Sequence, residues 1–250
     1  MPGIFVSRGA RFSIPEFEVT ESPEGVISGP ESITLHLSYD MYPQWLRVAV
    51  EHAEAAILAA VEVDRQWATD VEDARARSDA IEAEQRASMQ SMVAAAVAFD
   101  GMFGMIDDVA PLKTETKDAW RANGTKRPAR IAAALRHAFR IPNTEFKKVR
   151  QFLDELFRFR DLAVHPASRA EPAIEHPRIS TGVEPRFVIF RAENAVLAAG
   201  QALTIIHQLL DVPRAKHAKL VEHCGFAKEW VSPVVADWAA RHSGSEKSRA

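Results

Sequence analysis

Between Pro43 and Gly101 the chain reads QWLRVAVEHAEAAILAAVEVDRQWATDVEDARARSDAIEAEQRASMQSMVAAAVAFD, 57 residues without a glycine or a proline. Those two residues are the usual interrupters of regular structure, and the run that lacks them is rich in Ala, Glu and Arg, all strong helix formers. A single helix of that length would reach roughly 85 Å, too long for a compact domain. The stretch therefore predicts two antiparallel helices with a break near residues 69–79, where Thr69, Asp70, Ser78 and Asp79 can cap. Asp79 followed by Glu82 has the form of a capping box. A chain built around such a pair is mainly α.

Working outward toward the N-terminus, residues 3–38 change character. Gly3–Val6, Arg11–Ile14 and Ser32–Leu37 carry alternation or β-branched residues, interrupted by Pro15, Pro23, Gly25, Gly29 and Pro30. They predict a small β-hairpin or meander packed on the main body, and Pro43 then opens the first helix. Toward the C-terminus, residues 110–128 read as a polar loop. A short basic helix at about 129–140 ends at Ile141-Pro142.

Asn143 or Thr144 can cap the next helix, in which Phe146, Val149, Leu153, Leu156 and Phe157 recur at spacings of three and four. Residues 166–185 hold four prolines and predict a loop, and 186–190 a short strand. A helix at 192–210 is expected to turn Val196, Leu197, Leu203, Ile206, Leu209 and Leu210 inward. Beyond Pro213 two helical pieces follow, about 214–223 and 227–241, with Trp230 and Trp238 as core residues. The predicted division is a β extension at 1–40, a helical bundle at 41–212 and a helical C-terminal extension with its tail at 213–250.

With 47% apolar residues the chain can bury a sizeable core, which argues against wholesale disorder. The net charge of −3 does not suggest general nucleic-acid binding, but it is unevenly spread. Residues 51–110 hold 4 basic and 13 acidic side chains, a balance of −9, and residues 121–150 hold 9 basic against Glu145 alone, a balance of +8. Such asymmetry fits an anionic partner or self-association through opposite patches. The basic segment alone also fits a DNA- or RNA-binding regulator, whose binding would collapse with added salt.

Cys224 is the only cysteine, so no intrachain disulfide can form and a reducing cytoplasm fits. Met1–Phe12 has no apolar core of a signal peptide. The apolar run Met92–Phe99 is stopped by Asp100, far short of the roughly 20 residues a span needs, and no membrane partner is expected.

The chemistry concentrates in Leu156-Phe157-Arg158-Phe159-Arg160-Asp161-Leu162-Ala163-Val164-His165-Pro166. Arg160 and His165 lie five positions apart, which on an ideal helix turns them about 140° from each other. His165 precedes Pro166, however, and the residue before a proline is driven out of the helical region. The helix should end near Ala163 or Val164 and let His165 swing back toward Arg160. Asp161 can orient the guanidinium or the imidazole through a charge-assisted hydrogen bond. The pairs Arg47/His52, Arg130/His137, Arg158/His165 and Arg169/His176 share a similar spacing. Only Arg160 combines a helix end, an adjacent polar residue and a His-Pro stop.

Arg160-Asp161-Leu162-Ala163-Val164-His165 resembles the Arg-x(4–6)-His signature of the HEPN superfamily, in which the residue after the arginine is commonly Asn, Asp or His. The resemblance covers six residues in motif and roughly 40–212 in architecture. It implies a bundle of four or five helices, with helices at about 43–68, 80–108, 144–164 and 192–210. It further implies metal-independent endoribonuclease chemistry at a cleft made by two protomers, with no cofactor and no metal. On that basis His165 is the general acid or base. Arg160 holds the phosphate and stabilises developing charge, and Asp161 orients the pair. Arg158, Lys147, Lys148 and Arg150 would guide the RNA backbone. Expected partners are an RNA substrate, a second copy of the chain and an antitoxin or regulatory protein, as for a toxin or defence effector. Some members of the superfamily are instead non-catalytic modules for protein or RNA binding.

A plainer account of the same residues is a structural Arg–Asp pair with a histidine closing the helix. His217, His223 and Cys224 lack regular zinc spacing and read as exposed helix residues. The carboxylates around 51–84 read as a solvated face.

Overall fold

The computed structural model describes residues 10–13, 20–25, 27–29, 36–68, 73–165, 171–211 and 217–242. The chain divides into two compact units, 1–40 and 41–250.

In the first unit β1 (Ala10–Ser13) pairs antiparallel with β4 (His36–Tyr39), and β2 (Thr20–Glu21) pairs with β3 (Ile27–Ser28) inside that loop. The inner turn closes with Gly25 N–H donating to Ser22 O at 2.8 Å, and Gly25 adopts φ +78°, a conformation open to glycine at no steric cost. The strand expected at 3–6 lies outside the described residues, as does most of the one expected at 32–37.

The second unit is mainly helical. Its elements are α1 (Tyr42–Trp67), α2 (Ala74–Val109), α3 (Thr114–Ala122), α4 (Arg127–Phe139), α5 (Asn143–Val164), α6 (Pro185–Ile189), α7 (Ala192–Asp211) and α8 (Ala218–His242). A two-residue ladder, β5 (Ile174–Glu175) with β6 (Gly182–Val183), interrupts them before α6. The break in the long helical run falls within the expected window. Its cap is Asp73, whose carboxylate accepts from the backbone N–H of Arg75 and Ala76, both at 3.0 Å. Asp79 lies inside α2 instead of capping it.

The centre of the unit is α2, which packs against α1, α4, α5, α6, α7 and α8. Its Met92, Ala95, Phe99, Met102 and Ile106 are all buried in one core with Leu46 and Ala53 of α1, Leu135 of α4, Leu153 and Phe157 of α5, and Leu203 and Ile206 of α7. Small residues are buried on both helices, Ala49, Ala53 and Ala56 of α1 and Ala94, Ala95 and Ala98 of α2, and Ser91 Oγ of α2 donates to Ala49 O of α1 at 2.8 Å. By length and hydropathy α2 is apolar enough to cross a bilayer, but just over half of its apolar window is buried inside the protein. Leu220, Ala227, Val231 and Val234 of α8 join this same core. A smaller cluster of Val63, Ala80, Ile81 and Ile179 seats the β5–β6 ladder.

Several local expectations are corrected. Residues 114–122, read as loop, form α3. It is nine mostly polar residues and buries none of them, so no apolar stripe marked it as a core helix. Residues 185–189, read as strand, form a helical turn because Pro185 opens it and the Glu184 carboxylate accepts from Arg186 N–H. The last two helical pieces are one helix, α8, with Pro233 on an exposed face. Neither Asn143 nor Thr144 caps α5. Asn143 Oδ1 instead accepts from Arg136 at 2.6 Å, and the helix begins after Pro142. Leu197, expected inside, is 60% exposed. The carboxylates of 51–84 are not all solvated, since Glu84 is buried.

Candidate functional site

Helix α5 ends where the sequence rule places it. His165 is its C-cap, with φ −108° and ψ 127°, extended as the residue before Pro166 should be. Its backbone N–H donates the last helical bond to Asp161 O at 3.0 Å, and the side chain leaves the helix exposed. The ring has no hydrogen-bond partner among the described residues.

Arg160 is held on three sides. Its Nε and one terminal nitrogen donate to Asp161 Oδ1 at 3.0 and 2.7 Å. The other terminal nitrogen lies 3.6 Å from Asp100 Oδ2 on α2. The ring of Phe157, one turn back, lies beneath the guanidinium at 4.7 Å. Asp161 therefore orients the arginine and has no bond to the imidazole of His165.

Asp100 also reaches a second arginine. Arg127, the first residue of α4, donates from Nε to Asp100 Oδ1 at 2.6 Å. Its guanidinium stacks 4.3 Å over Phe103, one turn beyond Asp100 on α2. Three helices distant in sequence thus meet at one carboxylate. Sequence reasoning missed both partners, treating Asp100 only as the end of an apolar run and Arg127 as one of many basic residues. The usable signal was a lone charge in the otherwise apolar stretch 92–106.

Arg127, Arg160, Asp161 and His165 open onto a groove of about 1280 Å³. One wall is residues 125–129, the turn into α4. The other is α5, with Arg150, Asp154, Phe157, Arg158, Arg160, Asp161, Leu162 and His165, and Glu171 and Arg186 complete the rim. Six cationic side chains (Lys126, Arg127, Arg150, Arg158, Arg160, Arg186) face three acidic ones (Asp154, Asp161, Glu171), a balance of +3. Arg150 and Arg158 are exposed and only loosely paired, at 3.8 Å to Asp154 and 3.8 Å to Glu155. Lys147 and Lys148 are exposed but do not line the groove. Phe157, the one Phe, Tyr or Trp among the described lining residues, is 2% exposed. Among the described residues the groove thus offers phosphate-binding donors and a single exposed ring, the imidazole of His165.

The other candidates separate from this site. Arg130 is spent on the carbonyls of Thr125 and Trp120 at 2.6 and 3.4 Å. His176 is buried. His223 and Cys224, expected on an exposed face, are also buried. His223 Nε2 lies 3.2 Å from Tyr42 Oη, and burial pushes the Cys224 thiol up to about 11, which keeps it protonated. Trp230 and Trp238 are half-buried. Among the described residues no group of three or more His, Cys, Asp or Glu side chains is placed to hold a metal ion.

Comparison of the chain with protein-family models, with curated proteins and with solved structures gives no match.

Proposed function

We propose that this groove binds RNA and cuts its backbone in the manner of a HEPN-like ribonuclease, without a metal ion. His165 transfers the proton, Arg160 holds the phosphate and Asp161 fixes the arginine. The reaction is an internal transfer. The 2′-hydroxyl loses its proton to an imidazole and attacks the adjacent phosphorus. The bond to the 5′-oxygen breaks, and that oxygen leaves as a hydroxyl after taking a proton. A 2′,3′-cyclic phosphate and a 5′-hydroxyl end result, with no oxidant or reductant required. Two copies of the groove in a homodimer supply one imidazole to take the proton and one to return it. The setting is a cytoplasmic toxin or defence effector, with an antitoxin or regulatory protein as a further partner.

One observation carries the reading. Arg160 and His165, five apart on one helix, both line a single cationic groove because the helix stops at His165. The test is cleavage of single-stranded RNA in excess chelator, wild type beside a folded His165→Ala variant. Loss of a proton-transfer group is expected to slow cutting by about 10²–10⁴-fold. Equal cutting by both proteins would sink the assignment of His165.

A second reading has its own observation. Arg160 already has two carboxylates and a ring around it, which also suits a non-catalytic RNA-binding module. In that case the wild type binds RNA without cutting it, and His165→Ala binds equally well.

A further inference from the structure

We infer that Arg127 and Arg160 act together as a two-arginine phosphate clamp, held in register by Asp100. The inference rests on the RNA reading above and adds to it a second anion-binding arginine and a positioning carboxylate. The two arginines come from different helices, α4 and α5, and the Asp100 carboxylate on α2 stands between them, with one oxygen directed at each.

Each guanidinium plane is also fixed by a phenylalanine face, Phe103 under Arg127 at 4.3 Å and Phe157 under Arg160 at 4.7 Å. A guanidinium carries five N–H donors. Arg127 uses only Nε, so its two terminal nitrogens have no partner among the described residues, and its side chain is 41% exposed in the groove. Two positively charged forks close together repel. A carboxylate shared between them offsets that repulsion and fixes their separation before ligand arrives, which lowers the ordering cost of binding. A phosphate is the anion whose several oxygens can accept from both forks at once. Because the arginines offer donors suited to phosphate and His165 is the only exposed ring among the described lining residues, recognition rests mainly on the RNA backbone.

The sign of the Asp100 effect decides the matter. A carboxylate that merely neutralises the groove would, once removed, let RNA bind more tightly. A carboxylate that positions the clamp would, once removed, let RNA bind more weakly. The experiment measures binding of a short labelled oligouridylate to the full chain in the His165→Ala background, where no turnover interferes. Arg127→Lys keeps the charge but loses the fork, and is expected to weaken binding about 10-fold. Arg127→Gln should weaken it at least as much.

Asp100→Asn should also weaken binding, and should add little on top of Arg127→Gln because the two residues act as a unit. Asp100→Glu should recover part of the loss. Matching thermal unfolding of all variants separates these effects from misfolding. Tighter binding by Asp100→Asn, or unchanged binding by Arg127→Lys, overturns the clamp and leaves the RNA reading standing. Absence of RNA binding by the parent protein overturns both.

Discussion

Glu84 is 1% exposed in the middle of α2, yet it carries a carboxylate. One oxygen accepts from Ala192 N–H at 2.9 Å, and the Arg178 guanidinium faces both oxygens at 3.3 and 3.4 Å. Arg178 also reaches Ala60 O at 3.1 Å, Asp64 at 3.3 Å and Glu193 at 3.4 Å, so one side chain ties the β5–β6 segment to α1, α2 and α7. Burial nevertheless outweighs these partners and pushes the Glu84 carboxyl above the usual carboxylate range. A raised value in the fold means that Glu84 favours folding most at low pH, an advantage lost as pH rises through that value. Arg178→Met strands the charge, and the expected cost at neutral pH is about 3–5 kcal/mol. Without the arginine the carboxyl rises further, so the deficit should shrink on acidification. Urea unfolding across a pH series checks this, and a deficit that grows toward acid would refute it. At this scale the sequence was legible only where the rule was local. Pro166 told the fate of His165, but the meetings of Glu84 with Arg178 and of Asp100 with Arg127 and Arg160 join residues far apart in the chain and leave no local pattern.

Among the elements, the long gap without Gly or Pro announced α1 and α2, and apolar spacing announced α5 and α7. Helices α3 and α6 were hidden for opposite reasons, one because its residues stay solvated, the other because Phe187, Val188 and Ile189 favour strands and only Pro185 and Glu184 turn the chain. The glycines that end the Gly-free run have distinct roles that spacing does not reveal. Within α2, a Cβ added at Gly101 would lie 3.2 Å from Tyr42 Cβ and 3.4 Å from Tyr42 N, while one added at Gly104 meets nothing within 4 Å. Gly101 is therefore where the start of α1 presses on α2. Gly104→Ala is expected to stabilise the protein by about 0.5–1 kcal/mol, the ordinary gain of alanine over glycine inside a helix. Gly101→Ala should lose that gain to the clash and come out neutral or destabilising. Thermal melts of the two variants give the comparison, and equal stabilisation by both would show that the α1–α2 contact yields freely.

For the molecule as a whole, the uneven charge is the feature that the sequence displayed and could not place. Of the nine basic residues of 121–150, only Lys126, Arg127 and Arg150 line the groove, and the other six, Lys147 and Lys148 among them, do not. Lys148 lies two positions from Arg150, so on helix geometry it is turned about 160° away from it. Expecting both lysines to guide RNA followed from charge alone, which carries no information about facing. A groove that tracks phosphates makes the distinction measurable. Each phosphate contact with a single strand adds about 0.7 to the slope of log affinity against log salt. Arg158→Gln, inside the groove, should lower affinity at every salt concentration and reduce the slope by roughly 0.7 for each contact it removes. Lys148→Gln removes the same charge a few turns away and should leave the slope unchanged, with only a small, salt-sensitive loss of affinity through the long-range field. Titrations of both variants over a salt series decide between a built groove and a diffuse basic surface. If Lys148→Gln flattens the slope as much as Arg158→Gln, the RNA is not confined to the groove, and the groove shared by Arg160 and His165 loses its meaning for catalysis.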